Sequence, residues 1–468
     1  MINLPTYPDI KNIPIAVKQL TDMKVNIKKL INVNLLNKIN HQQFVFLMGI
    51  AAYSGEDFLF NMGLIKKYIN KIEMSDLEVI LTIENNLHNV FLKKYETEQS
   101  YNIFYNFFSQ IHLFKHKNDK LVVSSSIKNI LFYTHGPTFL AHTNPMFKML
   151  KNRVNKSINV SIATYGFNEE FKNKCKSLDV EYYNIFEKNI SKSFENLKNL
   201  SKNNDRIIWV SLPLHLSYFR SICNNVCLWS LKFHPNITNL KAYIGTFNNT
   251  ETAEIIFNRN IWKNINLGFD INNLKETEVS WKVRKLKFGS FCREELIDSK
   301  NYWETVKIIL EENPTSKFYY CGRNEIHLKW SEMLDINKHD VIFLNWLEKP
   351  HLKLKEMSFI LDGFTLGHGL MGIEAMAASV PVIFPKSRRG YGTSENFIKR
   401  SANFLNIENK QKYHQSYLLS FDKNSSLIQL SKKLLTDYKY NNFFGSHYKK
   451  IVEQYPSGAF EDFIEVLN

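Results

Sequence analysis

From residue 13 to about 113, apolar side chains recur at three- and four-residue spacing with few glycines or prolines to break them. This predicts amphipathic helices over 13–23, 35–52, 56–72, 75–95 and 98–113. No 34-residue period runs through them, so residues 1–122 read as an all-α domain and not as a tetratricopeptide array. At Ile127 the pattern changes. Short apolar runs of strand length (127–133, 159–164, 180–183, 206–210 and 226–230) alternate with helix-like intervals, which predicts a Rossmann-like domain over 123–284 whose last part, from about 250, is a crossing segment. A second alternation opens with Lys285–Arg293, which breaks at Gly289-Ser290, and continues through a helix carrying Trp303, Val306, Ile309 and Leu310 that stops before Pro314. Strands over 317–322, 340–344, 359–362 and 380–384 follow, so 285–468 reads as a second Rossmann-like domain with C-terminal helices. The fold class is therefore α/β, with parallel sheets whose ligand loops lie at strand ends.

Most of the recognisable chemistry falls in the second alternation. In Leu361-Asp-Gly-Phe-Thr-Leu-Gly-His-Gly-Leu-Met-Gly372 a strand ends in a glycine-rich loop that opens directly into a helix. Free backbone N–H groups and the positive helix end then face one point, which suits a diphosphate on Gly367, His368, Gly369 and Gly372. Glu374 falls about one turn into that helix, where a carboxylate can accept hydrogen bonds from a ribose. Lys386, with Arg388 and Arg389, brings positive charge after the next strand. Taken singly, the glycines also fit a tight turn and the basic residues a solvated loop; it is their order at successive strand ends that favours a nucleotide site.

Length and composition narrow the class. A chain of 468 residues has room for about three domains. With 44% hydrophobic and 22% charged residues, its composition is that of a globular protein. The amino terminus shows no apolar signal region and no uninterrupted apolar segment of about 20 residues occurs, so a cytoplasmic location is expected, with at most peripheral membrane contact. The cysteines 175, 223, 227, 292 and 321 are odd in number and scattered; Cys223 and Cys227 fit one helix face, but no second pair completes a zinc site, and buried thiols are expected. The net charge of +15 comes from lysines dispersed among Asn and Ile. That distribution favours anionic ligands and acidic partners over nucleic acid.

In the first alternation two strand ends carry candidate chemistry. Thr134-His135-Gly-Pro-Thr-Phe-Leu-Ala-His142-Thr143 follows the first strand and precedes the next helix, and imidazole can take a proton near neutral pH. A helix-capping or carbonyl-bonding role for His142 fits the same position. His234-Pro235 follows the fifth strand, where a turn proline with an incidental histidine fits equally well.

Together these stretches resemble a GT-B glycosyltransferase, a fold of two Rossmann-like domains facing a cleft, here preceded by an all-α domain. Phe-Gly-Ser-Phe-Cys-Arg293 with its following helix, the Leu-Asp-Gly-Phe-Thr-Leu-Gly-His loop and Asn396-Phe-Ile-Lys-Arg400 are similar to the succession in the bacterial cytoplasmic N-glycosyltransferases of high-molecular-weight adhesins, relatives of O-GlcNAc transferase. The resemblance covers about 127–445 and agrees only in kind over the helical region. It implies His142 at the reaction centre with His135 nearby, Thr143, His234 and Pro235 on the substrate side, and Arg293 on the nucleotide phosphates where the family has lysine. The family also has a histidine after the third strand of this lobe, where Leu344-Asn345-Trp346 stands, and an asparagine in the glycine loop, where His368-Gly369 stands.

The activity implied is an inverting transfer of a hexose, glucose by resemblance, from a UDP-sugar to asparagine in Asn-x-Ser/Thr of an adhesin-like protein. No Asp-x-Asp pair lies in a strand-end loop, and neither metal nor other cofactor is expected. Two other classes stay open: a GT-B enzyme of capsule or lipopolysaccharide synthesis, which shares the donor half, and a non-catalytic relative that binds sugar nucleotides.

Overall fold

The computed structural model describes residues 13–23, 26, 29, 31, 33–54, 56–72, 77–88, 91, 98–115, 126–136, 140–151, 153, 157–166, 168–210, 214–230, 240–246, 262–265, 279–292, 294–347, 349–364, 369–386, 393–455 and 460–467. They form two compact units.

The first unit begins with helices α1 (Ile13–Asp22), α2 (Val33–Leu36), α3 (His41–Tyr53), α4 (Phe58–Ile69), α5 (Leu77–Leu87) and α6 (Glu98–Lys115). Asn40 and Gln43 start α3 with a reciprocal capping box at 2.9 and 3.1 Å. Its residues Phe44–Ala52 are all buried, as expected for a helix that is apolar all round. Phe44 stacks on Tyr68 at 3.9 Å, and α5 and α6 add Ile80, Ile83, Leu87, Phe104 and Phe108 to the same core.

The sheet of this unit is built from β1 (Asn129–Thr134), α7 (Leu140–Lys151), β2 (Asn159–Thr164), α8 (Glu169–Ser177), β3 (Glu181–Asn184), α9 (Ile190–Ser201), β4 (Arg206–Val210), α10 (Leu216–Ile222), β5 (Val226–Ser230), β6 (Ala242–Thr246) and β7 (Trp262–Ile265). All pairings are parallel, in the order β3-β2-β1-β4-β5-β6-β7. Side chains alternate between faces along β1. Ile130 and Phe132 join one layer, whereas Leu131 and Tyr133 join the other with Trp209 and with Leu81 of α5. β6 and β7 extend the sheet beyond the strands the apolar pattern predicted. Ala-Tyr-Ile-Gly-Thr holds a glycine, and Trp-Lys-Asn-Ile, at the sheet edge, has two polar residues at its centre, so neither is a continuous apolar run.

The second unit contains α11 (Trp281–Arg284), β8 (Lys287–Ser290), α12 (Lys300–Glu312), β9 (Lys317–Tyr320), α13 (Ile326–Leu334), β10 (Val341–Phe343), α14 (Pro350–Leu354), β11 (Phe359–Leu361), α15 (Leu370–Ala377), β12 (Val382–Pro385), α16 (Thr393–Phe404), α17 (Lys410–Tyr417), β13 (Ser420–Phe421), α18 (Asn424–Thr436) and α19 (Tyr438–Glu453). Its sheet is also parallel, in the order β10-β9-β8-β11-β12-β13. On α12, Tyr302, Trp303, Val306, Ile309 and Leu310 are buried against it, and Pro314 lies just past the helix end. The last helix, α20 (Phe460–Leu467), belongs to the first unit, where Phe463 packs on Phe132 at 5.6 Å and on Trp229 at 5.3 Å.

Both sheets follow one doubly wound order, in which the chain reverses direction between the first and fourth strands of each alternation. In such sheets ligands bind beyond the carboxyl ends of the strands that flank the reversal. These are β1 and β4 in the first unit, and β8 and β11 in the second.

All five cysteines are free and buried. Cys223 and Cys227 do not share a helix: Cys223 follows α10, and Cys227 lies within β5, with burial pushing its thiol up to about 12. The shared-face expectation is thereby corrected, because the apolar run from 226 is a strand.

Burial also holds the His447 imidazole down at about 4, where its ring stacks on Tyr417 at 3.7 Å and its Nε2 meets the Tyr413 hydroxyl at 2.9 Å. The unfolded chain takes up this proton near 6.5, so the stability contributed by neutral His447 is complete above that pH and is lost as pH falls toward 4. The midpoint of thermal unfolding should fall across that window, and less steeply in His447→Gln, as followed by circular dichroism.

Candidate functional site

β11 delivers the chain to Asp362, a fully buried carboxylate whose Oδ1 accepts the Gly363 N–H at 3.1 Å. Gly367 and His368 lie outside the described residues. Gly369 stands immediately before α15 with φ +60° and ψ −131°. This is a backbone conformation that side chains with a Cβ resist. Gly369 and α15 follow β11 along the chain, and β11 flanks the reversal of the second sheet. Gly372, buried, lies in that first turn, its N–H reaching back to the Gly369 carbonyl at 3.3 Å.

One helical turn on, the Glu374 carboxyl is pushed up to about 7 by burial. Neither a hydrogen bond nor an ion pair satisfies it among the described residues. A half-ionised acceptor held in a largely desolvated place is suited to hydroxyl donors from outside the chain. Lys386, at the end of β12, is exposed and pairs loosely with Asp422 at 3.7 Å. The lysine draws the Asp422 carboxyl below its usual range.

Arg293 lies outside the described residues, but the orientation of its neighbour is clear. Glu294 is buried and turned to the loop after β9, where it accepts from the Arg323 N–H at 3.1 Å and from Asn324 Nδ2 at 2.8 Å. A Cβ on Gly322 would stand 2.7 Å from its Oε2, so a larger residue there would push the Glu294 carboxylate aside. Glu294 is thus committed to that loop. The next loop presents Trp346, exposed, with the Arg323 guanidinium 5.0 Å from its ring.

At the reversal of the first sheet, β1 ends in Thr134, and His135 follows it. The His135 Nδ1 stands 3.1 Å from the Tyr133 hydroxyl, and its ring stacks on Tyr165 at 5.8 Å and 9°. Burial, with His215 and His88 adding to it, holds its pKa well below the usual histidine range. His142 and Thr143 do not lie in a loop. Their backbones form the first turn of α7, which starts ahead of Pro145 and not at it. Thr143 is buried, and the His142 side chain lies outside the described set, as do His234 and Pro235.

From the other strand of the reversal comes His215, which no motif marked. It is fully buried with φ +58°, and its ring centre lies 5.5 Å from that of His135. Glu84 and His112, both buried and 2.9 Å apart, stand beside it. The one sequence signal for this group was a carboxylate on the apolar face of α5 among Ile80, Leu81, Ile83 and Leu87. Among the described residues no His, Cys, Asp and Glu side chains gather as a metal site, and no helix is long and apolar enough to cross a membrane.

No protein-family model matches the sequence, and comparison with curated protein sequences finds no match. Solved structures do resemble the fold. A mutant of the O-GlcNAc transferase of Thermobaculum terrenum superposes with a TM-score of 0.61 at 10% identity, covering 92% of this chain and 82% of that one. HepE of Anabaena, in complex with UDP and glucose, gives 0.54 at 14% identity over 73% of this chain and 99% of its own. TarM gives 0.52 at 12% identity, over 74% and 99%. The architecture is that of the GT-B fold, two Rossmann-like units with a helical amino-terminal region.

Proposed function

We propose that this chain is a metal-independent, inverting glycosyltransferase that moves a hexose, glucose in the first instance, from a UDP-sugar to asparagine in Asn-x-Ser/Thr of an adhesin-like protein. The observation that carries the donor half is the left-handed Gly369 at the start of α15 with the unsatisfied Glu374 one turn behind it, beside the reversal of the second sheet. In this reading the diphosphate lies on the residues from Gly367 to Gly372, the ribose hydroxyls donate to Glu374, and Arg293 and Lys386 offset the charge of the departing UDP. The acceptor nitrogen bonds to the anomeric carbon as the bond to the diphosphate oxygen breaks; UDP leaves with the electron pair and the acceptor proton passes to His142. His135, Thr143, His234 and Pro235 shape the acceptor side.

The likeness to the O-GlcNAc transferase extends over more of this chain than those to HepE and TarM. Coverage of 92% exceeds the roughly three quarters of the chain beyond residue 122, so the superposition on the O-GlcNAc transferase must take in part of the helical region. The coverage with HepE and TarM requires none of it.

The test is incubation, with EDTA, with UDP-glucose, UDP-galactose and UDP-GlcNAc separately, each with an Asn-x-Ser/Thr peptide whose mass is read. One hexose gained on asparagine from UDP-glucose is the expected result. Release of UDP only with a lipid-linked glycan would replace the protein acceptor by a glycan, and no release at all would reduce the function to sugar-nucleotide binding.

Glu374 makes a separate prediction. Ribose hydroxyls donate more strongly to its ionised form than to the protonated acid, so UDP-sugar affinity should rise from pH 6 to 8 and be flat in Glu374→Gln, as titration calorimetry would record. The stability effect has the opposite sign. A carboxyl raised to about 7 loses its contribution as pH climbs from 4.5, so Glu374→Gln should unfold at a higher temperature than wild type at pH 8 but not at pH 4.

A further inference from the structure

Helix α5 carries two carboxylates six residues apart, about 9 Å along its axis. Each reaches out of the helical layer to backbone N–H groups beside the first sheet. Glu78 accepts from Ile190 and Ser191, both at 2.8 Å, at the start of α9. Glu84 accepts from the His215 N–H at 3.0 Å just before α10, and its second oxygen meets His112 Nε2 at 2.9 Å. The two contacts look alike, yet they hold different things. Glu78 steadies a helix start, whereas Glu84 holds a residue whose φ of +58° is uncommon for a side chain with a Cβ.

The His215 ring is fixed at its other end as well. Its Nε2 stands 2.9 Å from the Leu81 carbonyl, which only accepts, so Nε2 carries the hydrogen and Nδ1 the lone pair. By the same logic His112 presents its Nε2–H to Glu84. Both Nδ1 atoms are buried without a hydrogen-bond partner. Burial holds the His215 pKa below its usual value. Burial alone would raise the Glu84 carboxyl, but His215 and His112 outweigh it and keep Glu84 below its usual range. A carboxylate thus stands under a ring that packs on His135, at the end of β1.

We propose that Glu84 is a positioning residue for the acceptor side: by holding the left-handed turn at His215 it fixes that ring, and the ring sets where His135 stands. This rests on the acceptor-side role given to His135 above. The groups that face His135 are Tyr133, Tyr165, His215 and His88.

The experiment sets Glu84→Ala against Glu78→Ala, which frees the same helix from backbone N–H groups of α9 without removing a hydrogen bond to His215. Two readouts are taken on the full chain: the titration of His135 by NMR with labelled histidine, and turnover beside UDP-sugar affinity. Glu84→Ala should bring the His135 titration toward the usual histidine range and cut turnover at least tenfold with donor affinity unchanged. Glu78→Ala should lower the unfolding temperature and leave both readouts in place. Glu84→Gln, whose carbonyl still accepts from the His215 N–H while His112 changes tautomer, should restore most of both. Should Glu84→Ala fail to fold, His215→Gly takes its place. Glycine accepts the positive φ and keeps the N–H on Glu84, so only the ring is lost, and the His135 titration should still move. An unmoved His135 titration, or equal turnover loss in the Glu78 and Glu84 variants, overturns the proposal. A wild type without transfer activity would defeat the functional reading but leave the titration to decide this one.

Discussion

Changing His142 to alanine should slow sugar transfer about 10²- to 10⁴-fold, the range typical of losing a general base, with UDP-sugar affinity changed by no more than about twofold. His142 lies in the first turn of α7, the helix entered from β1, and β1 flanks the reversal of the first sheet. The donor-side residues come from a different sheet, so truncating His142 removes no contact assigned to the nucleotide. The loss should therefore fall on kcat and not on KM for the donor. An asparagine amide is too weak a nucleophile to be activated by a base alone, and twisting of the amide on binding would leave the mutant a residual rate. Steady-state kinetics with peptide and UDP-sugar decide it. Unchanged kcat would remove the base from His142, and lost donor affinity would place His142 on the nucleotide instead.

The second large effect concerns stability. Arg284→Met should destabilise the second unit by about 3 kcal/mol, since hydrogen bonds to charged groups contribute about 1.5–3 kcal/mol each. The Arg284 guanidinium donates to the Met357 carbonyl at 3.0 Å and to the Ser379 carbonyl at 2.8 Å, and burial lowers its pKa to about 10. It thereby ties the segment that opens this unit to the approach to β11 and to the residue just beyond α15. Ser379 has φ +59°, and its carbonyl lies so close over Gly445 of α19 that no Cβ fits beneath it. Methionine fills the volume but leaves both carbonyls without their donor. A fall in the unfolding midpoint of roughly 6–12 °C follows for a unit of this size, measurable by calorimetry. Because α15 also carries the candidate nucleotide turn, UDP-sugar should recover part of the lost midpoint by mass action. A variant as stable as wild type would mean that water or relaxed backbone satisfies those carbonyls.

How much of this was legible in the sequence depends on what kind of residue carries each feature. Strands buried on both faces, such as Ile130–Tyr133 and Arg206–Val210, declare themselves as continuous apolar runs. β6, β7 and β13 do not, because a glycine interrupts β6, β7 lies at the sheet edge and β13 has only two residues. The candidate donor site was readable from Gly369 and Glu374, since an awkward backbone turn leaves a glycine in the sequence and a helix register places the acid. Placing His142 and Thr143 in a loop ahead of the next helix was mistaken, since both sit in the first turn of α7. Glu294 directly follows Arg293 in the chain, and spacing could not show that its carboxylate turns to the Arg323 N–H and to Asn324. The contact of Glu84 with His215 spans 131 residues of chain and obeys no periodicity, so only tertiary packing reveals it.

The return of α20 to the first unit has a consequence during synthesis. Phe463 covers Phe132 and Trp229 on a face of the first sheet whose last strand ends at Ile265. About 200 residues must still be translated before that cover leaves the ribosome, on the order of 10–40 s at 5–20 residues per second. Throughout that interval the nascent sheet keeps an aromatic patch open to chaperones and to neighbouring chains, whereas the second unit, which ends at Gly458, is complete before the last helix emerges. Yield in the cell should thus depend on how long that patch waits, and a stop codon placed ahead of residue 460 should send the product to aggregates although every strand of both sheets has been made.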